Sequence, residues 1–344
     1  MNITILGAGA WGTALALSMA PRHAVLLWGR DVTAMAETDR LRENRSYLPG
    51  FLLPAGLQVT DDLPRALSHL QADINVPGLL IVATSVAGLR PLCQQLSMLQ
   101  PALQPGNGRF SNIVWLCKGL EEGSALLPHQ VVQAELGAAL PAGVLSGPSF
   151  AQEVARGLPC ALTIASRHPA LREQVVAAVH STNLRIYSTD DVAGVEVGGA
   201  VKNILAIATG VVDGMGFGAN ARAALITRGL AEMTRLGVAL GGRSETFMGL
   251  TGVGDLLLTC TGDLSRNRRV GLGLAEGKPL SAIIDDLGHV AEGVRCAQAV
   301  RTLARQHAID MPIIDAVAGV LFDGDSATAM VARLMGREPR SEAR

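Results

Sequence analysis

The chain has 344 residues, is 49% hydrophobic but only 3% aromatic, and carries a formal net charge of −1. This length predicts two domains with cores of their own, and the near-neutral charge excludes nucleic acid as an expected partner. The five dispersed cysteines, the absence of a signal-peptide pattern and the absence of an uninterrupted apolar run long enough to span a bilayer predict a cytoplasmic protein without membrane insertion.

The first half of the chain alternates short apolar strands with helical stretches. Strand patterns occupy residues 3–6, 24–28, 79–83, 113–117, 142–145 and 161–165, and the first helix occupies residues 13–20. This alternation predicts a doubly wound α/β domain over residues 1–190, with a parallel sheet covered on both faces. The Pro and Gly content of residues 100–108 predicts a surface loop.

Strand patterns give way to helical ones after residue 190. Helical periodicity at residues 196–213, 221–239 and 294–308 predicts an all-α substrate and catalytic domain over residues 191–336. The polar segment 337–344 is expected to be a disordered tail.

A glycine-rich turn separates the first strand from the first helix. Gly7, Gly9 and Gly12, with Ala10 and Trp11 between them, form a G-x-G-x-x-G arrangement. Such glycines permit a tight turn, close approach of backbone to a pyrophosphate, and close packing of the helix, whose N-terminus offers N–H donors. We favour a dinucleotide-binding, Rossmann-type domain over a purely structural turn.

The end of the second strand bears on which dinucleotide binds. Arg30 would pair with the 2′-phosphate of NADP, whereas Asp31 would reach the ribose hydroxyl of NAD. A solvated surface pair is the alternative interpretation. We favour NADP, with NAD also accommodated.

Lys202 is the only lysine in a long helical segment of apolar and small residues. Helical spacing places it on one face with Gly198, Gly199, Ala206 and Thr209, so its ammonium projects over bare backbone that another group can approach closely. Burial disfavours the charged form of an amine, which suits proton transfer. Lys202 is therefore a candidate acid or base; the alternative is a lysine that snorkels to solvent.

Two strand ends carry further candidate ligand groups. Lys118 follows the strand at residues 113–117, and ligands of open α/β sheets bind beyond the carboxyl ends of strands. Gly147 and Ser149 follow another strand, where Ser149 and Gln152 also fit a helix capping box.

A basic cluster follows in the helical half. It combines guanidinium, hydroxyl and amide donors that suit a phosphoester, and a buried-looking acid, Asp255, precedes it. A solvated basic face is the alternative. The members are Ser265, Arg266, Asn267, Arg268 and Arg269. The seven histidines form neither a metal-ligand spacing nor a triad, so no metal is expected.

Motifs along nearly the whole chain resemble those of bacterial NAD(P)-dependent glycerol-3-phosphate dehydrogenase. The matching stretches are residues 7–13, 44–49, 117–119, 146–151, 201–203, 252–260, 265–268 and 290–293. The resemblance implies reversible hydride transfer between NAD(P)H and dihydroxyacetone phosphate, giving sn-glycerol 3-phosphate for phospholipid synthesis. Segments 73–78 and 103–110 are longer than the family's usual loops, and residues 83–86 lack its proline.

The resemblance also implies roles for individual residues. Lys202 corresponds to the family's catalytic proton donor or acceptor, and Asp255 is expected to orient it. The implied substrate contacts are Lys118, Gly147, Ser149, Lys202, Asp255, Ser265, Arg266 and Asn267. The implied cofactor contacts, besides the glycine-rich turn, are Ala10, Trp11, Arg30, Lys118, Ala151, Arg266, Val290 and Glu292.

Two alternative functions are considered beside this one. A related reductase of a 3-hydroxy acid or ketopantoate would use residues 265–267 to bind a carboxylate instead of a phosphate. A non-catalytic NADPH-binding sensor would bind the dinucleotide without oxidising it. The expected partner is a small phosphorylated substrate, with a second copy of the chain, in a homodimer, as a further candidate.

Overall fold

The computed structural model describes residues 1–71, 78–99, 110–288 and 291–338. The chain divides into two compact units: Met1–Glu121 with Leu126–Glu196, and Glu122–Ala125 with the chain from Val197 onward. The predicted loops at 73–78, 100–108 and 103–110 lie almost wholly outside the described residues, as does most of the predicted tail.

Among the described residues of the first unit, eight strands form one sheet. They are β1 (Asn2–Leu6), β2 (Ala24–Trp28), β3 (Gln58–Thr60), β4 (Leu79–Val82), β5 (Ile113–Trp115), β6 (Ala142–Ser146), β7 (Cys160–Ala165) and β8 (Leu184–Thr189). Their order across the sheet is β3-β2-β1-β4-β5-β6-β7-β8. Strands β3 and β8 were not predicted from the sequence. They are the two edge strands and contain polar residues in place of a continuous apolar run.

The sheet is parallel except at one pair. The prediction of a parallel sheet is confirmed for the first six strands and for β7 with β8, but it is wrong for β6 and β7, which are antiparallel. The helix between them, α6 (Ala151–Ala155), has 5 residues. It rises only about 7.5 Å, which is less than the length of roughly 16 Å of a five-residue strand, so the chain re-enters the sheet from the end at which β6 stops.

Helices cover both faces of this sheet, as predicted. Ile3 and Ile5 of β1 belong to one hydrophobic cluster, whereas Leu6, which points to the other face, belongs to a second. The remaining helices of this unit are α1 (Ala10–Met19), α2 (Val32–Leu41), α3 (Leu63–His69), α4 (Val86–Leu99), α5 (Pro128–Leu136) and α7 (Pro169–Val179).

Regular structure among the described residues of the second unit is helical, as predicted, and the three expected helices are present. The elements are α8 (Val192–Gly214), which begins in the first unit, α9 (Gly218–Ala239), α10 (Ser244–Phe247), a π-helical turn (Leu250–Gly254), α11 (Asp255–Thr261), α12 (Arg266–Ala275), α13 (Leu280–Leu287), α14 (Glu292–Gln306), α15 (Pro312–Phe322) and α16 (Ala327–Met335).

Helix α8 is the most apolar long helix among the described residues. At 23 residues it is long and apolar enough to cross a membrane by length and composition, although Glu196 and Lys202 interrupt its apolar sequence. Its most apolar window is 100% buried inside the protein. That burial is also what the core helix of a globular protein shows.

Candidate active site

Lys202, near the middle of α8, is buried and paired. Only 6% of the residue is exposed, so the snorkelling alternative is wrong. Its Nζ donates to Oδ1 of Asp255 over 2.5 Å and to Oγ1 of Thr259 over 2.9 Å. Asp255 is itself fully buried, and the predicted contact between Asp255 and Lys202 is present. Because each charge compensates the other, both can stay out of water.

The two partners of Lys202 lie one helical turn apart. Asp255 and Thr259 are at positions i and i+4 of α11, so their side chains share a face. The hydroxyl of Thr259 donates to the Asp255 carbonyl oxygen over 2.6 Å, which fixes its direction. Thr259 was not among the residues predicted from the sequence, although its spacing of four from Asp255 on a helix is a signal that would have identified it.

The small-residue face of α8 admits the chain's own backbone. A Cβ built on Gly198 would lie 2.3 Å from the carbonyl oxygen of Thr251, in the π-helical turn. The group that approaches this face closely at Gly198 is therefore the backbone of the π-helical turn. The turn packs against α8 one helical turn before Lys202, and Asp255 follows it directly in the sequence.

Asn267 joins three helices beside Lys202. Its Nδ2 donates to Oδ1 of Asn203 on α8 over 3.0 Å, and its Oδ1 accepts the backbone N–H of Gly293 on α14 over 2.9 Å. A Cβ on Gly293 would lie 2.5 Å from the Asn203 carbonyl oxygen, so this approach requires glycine. This bridging role of Asn267 was not predicted from the sequence.

The basic cluster on α12 is not a shared set of arginines. Arg268 pairs with Asp213 over 2.8 Å and with Asp263 over 3.2 Å, and Arg269 donates to the Asp263 carbonyl over 3.1 Å. Arg266 is exposed and forms no hydrogen bond or ion pair with the residues that the structure describes. The prediction that all three arginines are available to one anion is therefore wrong, since Arg268 and Arg269 are engaged by oxygens of the chain itself.

The neighbours of Arg266 complete this end of α12. Ser265 is the N-cap, and its Oγ accepts the backbone N–H of Arg268 over 3.2 Å. Glu292 begins α14; burial raises the pKa of its carboxyl, while Arg295 and Arg266 act in the opposite direction. The predicted cofactor contact Val290 lies outside the described residues.

The three glycines of the first turn have different surroundings. Gly7 has φ +129°, and a Cβ there would lie 2.6 Å from the backbone carbon of Ala83. A Cβ on Gly12 would lie 2.1 Å from the Gly7 carbonyl oxygen, whereas one on Gly9 would meet nothing within 4 Å. Gly7 and Gly12 thus shape the turn, and Gly9 leaves open space before α1 at Ala10. This division of roles fits a pyrophosphate-binding turn.

Asn44 holds the glycine-rich turn in place. Its Nδ2 donates to the Ala8 carbonyl over 2.8 Å and to Oγ1 of Thr13 over 2.8 Å. The residue is buried. Motif 44–49 was recognised in the sequence, but this contact across more than 30 residues was not.

The end of β2 presents Arg30 and Asp31 differently. Asp31 is the N-cap of α2, where its Oδ1 accepts the backbone N–H of Ala34 over 2.9 Å. Arg30 is exposed and forms no hydrogen bond or ion pair with any described residue, so the alternative of an Arg30–Asp31 pair is not observed. The carboxylate has a structural role, whereas the guanidinium faces outward.

The predicted substrate residues of the first unit converge on one carbonyl. The oxygen of Gly147, where φ is +141°, accepts from Nζ of Lys118 over 3.0 Å and from Oγ of Ser149 over 3.1 Å. The capping-box prediction for Ser149 is wrong. Helix α6 begins only at Ala151, with Phe150 as its N-cap and no side-chain cap, so Ser149 lies one position too early.

Comparison with known proteins supplies an independent test. Two family models match: the N-terminus of NAD-dependent glycerol-3-phosphate dehydrogenase over residues 2–172, and its C-terminus over residues 191–332. Proteins named glycerol-3-phosphate dehydrogenase (NAD(P)+) are 68% identical in Paucimonas lemoignei, covering 99% of this chain and 98% of theirs, and 67% identical in Herminiimonas arsenicoxydans, covering 99% of both. A crystal structure of glycerol-3-phosphate dehydrogenase from Coxiella burnetii is 40% identical, with a TM-score of 0.90, over 97% of this chain and 98% of that one.

The glycine geometry generates a paired prediction. Gly12→Ala should destabilise the fold by about 1–3 kcal/mol, because its methyl group collides with the Gly7 backbone oxygen. Gly9→Ala should unfold at the wild-type Tm but bind NADPH about tenfold more weakly, because its methyl group enters only the open space. Thermal unfolding and NADPH titration check both variants. Wild-type NADPH affinity in Gly9→Ala would show that no dinucleotide uses this space.

Proposed function

The chain belongs to the NAD-dependent glycerol-3-phosphate dehydrogenase family, and we propose that Lys202 is its catalytic acid and base. The enzyme transfers a hydride between NAD(P)H and dihydroxyacetone phosphate, giving sn-glycerol 3-phosphate, a precursor of phospholipids. The observation that carries the proposal is the buried ammonium of Lys202, held by Asp255 and Thr259 on α11.

The chemistry requires a proton donor at one oxygen. The bound nicotinamide supplies a hydride to C2 of the ketone, or accepts it in the reverse direction. As the ketone is reduced, negative charge develops on its oxygen, which a positioned acid both stabilises and protonates. Lys202 meets this requirement because Asp255 favours its ammonium form and Thr259 limits the directions in which Nζ can point. In the oxidative direction the same amine takes the proton back.

We assign the substrate phosphate to Arg266, with Ser265 and Asn267 beside it. Arg266 is the arginine of the cluster whose guanidinium is not engaged by the residues that the structure describes. An arginine fork gives a phosphate two parallel charge-assisted hydrogen bonds. Holding the phosphate aligns the remote C2 atom, so binding energy serves the reaction. Asn267 would contribute chiefly by keeping α8, α12 and α14 together.

In the first unit we assign the pyrophosphate to Gly9 and the uncapped start of α1, including Ala10 and Trp11. The α1 N-terminus has no side-chain cap, so its first N–H groups are available to phosphate oxygens. Ala151 at the start of α6, Val290 and Glu292 stay predictions as cofactor contacts. Lys118, fixed on the Gly147 carbonyl with Ser149, is proposed to contact the substrate's oxygens.

We further propose that NADP is preferred to NAD. Asp31, which would hold the ribose hydroxyl of NAD, caps α2 instead, whereas Arg30 is exposed at the end of β2 and would be available to a 2′-phosphate. A cytoplasmic location is also proposed, supported by five cysteines of which none forms a disulfide. Homodimer formation stays a prediction.

The two rival functions predict different behaviour. A ketopantoate or 3-hydroxy acid reductase would bind a carboxylate at Arg266 and would not reduce dihydroxyacetone phosphate. A sensor would give no reason for a buried Lys202 paired with Asp255 and would bind NADPH without oxidising it. The family membership of the chain favours the dehydrogenase.

Removing the ammonium tests the proposed acid. Lys202→Met should lower turnover by about 10²- to 10⁴-fold while NADPH still binds, because the developing alkoxide loses its proton donor. It leaves Asp255 buried without a counter-charge, at a cost of about 3–5 kcal/mol. The double variant Lys202→Met/Asp255→Asn removes both charges and should recover stability but not activity. NADPH absorbance and thermal unfolding separate the two effects, and near-normal turnover in either variant would overturn the assignment.

Two exposed arginines of α12 form a matched test of the phosphate site. Arg266→Ala should raise the KM for dihydroxyacetone phosphate by about 10- to 100-fold, because the phosphate loses the charge-assisted hydrogen bonds from the guanidinium. Arg269→Ala removes a guanidinium bound to a backbone carbonyl and should leave that KM within about twofold. Steady-state kinetics measure both, and equal KM values in the two variants would contradict the assignment.

The cofactor preference has its own test at Arg30. Arg30→Ala should lower kcat/KM for NADPH by about tenfold or more, because a charged contact to the 2′-phosphate is lost, and leave that for NADH nearly unchanged. Kinetics with each cofactor at saturating ketone provide the comparison. An equal loss with both cofactors would mean that Arg30 does not recognise the 2′-phosphate.

A further inference from the structure

Two consecutive residues of α12 attach its first turn to helix α8. The side chain of Asn267 donates to Asn203 of α8 over 3.0 Å, and that of Arg268 pairs with Asp213 of α8 over 2.8 Å. Positions 203 and 213 are separated by about 15 Å along the axis of a helix. Two attachments that far apart hold α12 against sliding along α8 and against turning on it.

The two helices are in backbone contact between these attachments. A Cβ built on Gly210 of α8 would lie 2.1 Å from the carbonyl oxygen of Arg268. One built on Gly271 of α12 would lie 2.1 Å from the carbonyl oxygen of Ile207 on α8. Because a close-packed interior has little room to yield, a change in the way the first turn of α12 is held displaces that turn relative to α8.

Asp213, at the C-terminal end of α8, is held by two arginines from different helices. Arg268 of α12 donates to its Oδ2 from Nε over 3.0 Å, and Arg222 of α9 donates to its Oδ1 over 3.1 Å. The side chain of Asp213 is 9% exposed, whereas that of Asp263, the other carboxylate at Arg268, is 97% exposed. Since water screens an exposed ion pair, the contact with Asp213 is the one that holds Arg268 in place.

The turn held in this way also carries Arg266, to which the substrate phosphate is assigned. Lys202 lies on α8 and Arg266 on α12, and the two side chains act on different ends of one small molecule. The placement of α12 on α8 therefore decides where the ketone oxygen lies relative to Nζ of Lys202 once the phosphate is bound. A misplacement of about 1 Å can lower a rate by roughly 100-fold.

We propose that Asp213 is a positioning residue of the hydride transfer. Through Arg268 it fixes the first turn of α12, and with it the phosphate held by Arg266, relative to Lys202; this role rests on the proposed binding of the phosphate by Arg266. Loss of the contact between Asp213 and Arg268 leaves the guanidinium of Arg266 in the protein, so the substrate still binds but is misaligned. The kinetic signature is a fall in kcat with little change in KM, the reverse of Arg266→Ala.

The two arginines at Asp213 provide a matched pair of variants. Arg268→Gln breaks the link to α12 but leaves Asp213 paired with Arg222, and it should lower kcat for dihydroxyacetone phosphate by about tenfold while KM changes less than about threefold. Arg222→Ala leaves the link to α12 intact and should keep kcat within about twofold of the wild type. Asp213→Asn should reproduce the loss seen in Arg268→Gln. Steady-state kinetics at saturating NADPH measure all three, and equal kcat values in the two arginine variants would overturn the positioning role.

A double-mutant cycle shows whether Asp213 acts through Arg266. In an Arg266→Ala background, Arg268→Gln should lower kcat/KM by less than about twofold, because the turn that moves no longer holds the phosphate. The full tenfold loss in that background, or a parallel loss of NADPH affinity, would indicate a general disturbance of the fold and overturn the positioning role.

Arg266→Ala by itself separates this role from the phosphate assignment. An unchanged KM in that variant would refute the phosphate assignment and the positioning role with it. A raised KM in Arg266→Ala beside a wild-type kcat in Arg268→Gln would refute the positioning role alone.

Discussion

In the second unit, the arrangement of the candidate active site depends on the ion pair between Lys202 and Asp255. Two charges removed from water are tolerable only when they compensate each other, so the elements that carry them must meet accurately. Glycine at position 198 lets the π-helical turn approach α8, and this approach delivers Asp255 at the start of α11. Thr259, one turn later, gives Nζ a second acceptor. The result is an ammonium of restricted direction in a buried setting, which is what protonation of a developing alkoxide requires.

The first unit solves a different problem, which is to leave room for a large anionic cofactor. At Gly7 and Gly12 of its glycine-rich turn, backbone atoms occupy the space that a side chain would need, whereas at Gly9 that space is empty. Asn44 holds the turn from outside it. In the same unit the buried side chain of Glu196 orients the ring of His129. Neither residue has a role in the proposed hydride transfer.

Local patterns made most of the fold predictable from the sequence. Strands, the glycine-rich turn and the long helices follow from periodicities within a few residues. The errors have two sources, a short local connection in one case and partners distant in the sequence in the others. The antiparallel return of β7 follows from the short α6, and the pairing of Arg268 with Asp213 spans 55 positions. Lys202 was identifiable as an unusual lysine, but its contact with Thr259, 57 positions away, required the folded backbone. Asn267 was expected at the phosphate because its neighbours are basic, and its links to α8 and α14 were not visible in that pattern.

The central claim is that the amine of Lys202 supplies the proton, and chemical rescue tests it most directly. Lys202→Ala leaves a space where a small primary amine can take the position of Nζ beside Asp255. Added methylammonium should restore NADPH oxidation by dihydroxyacetone phosphate in proportion to its concentration, whereas a tetramethylammonium salt at the same ionic strength, which has no proton to give, should not. A variant that binds NADPH and substrate but shows no rescue by any small amine would contradict the account.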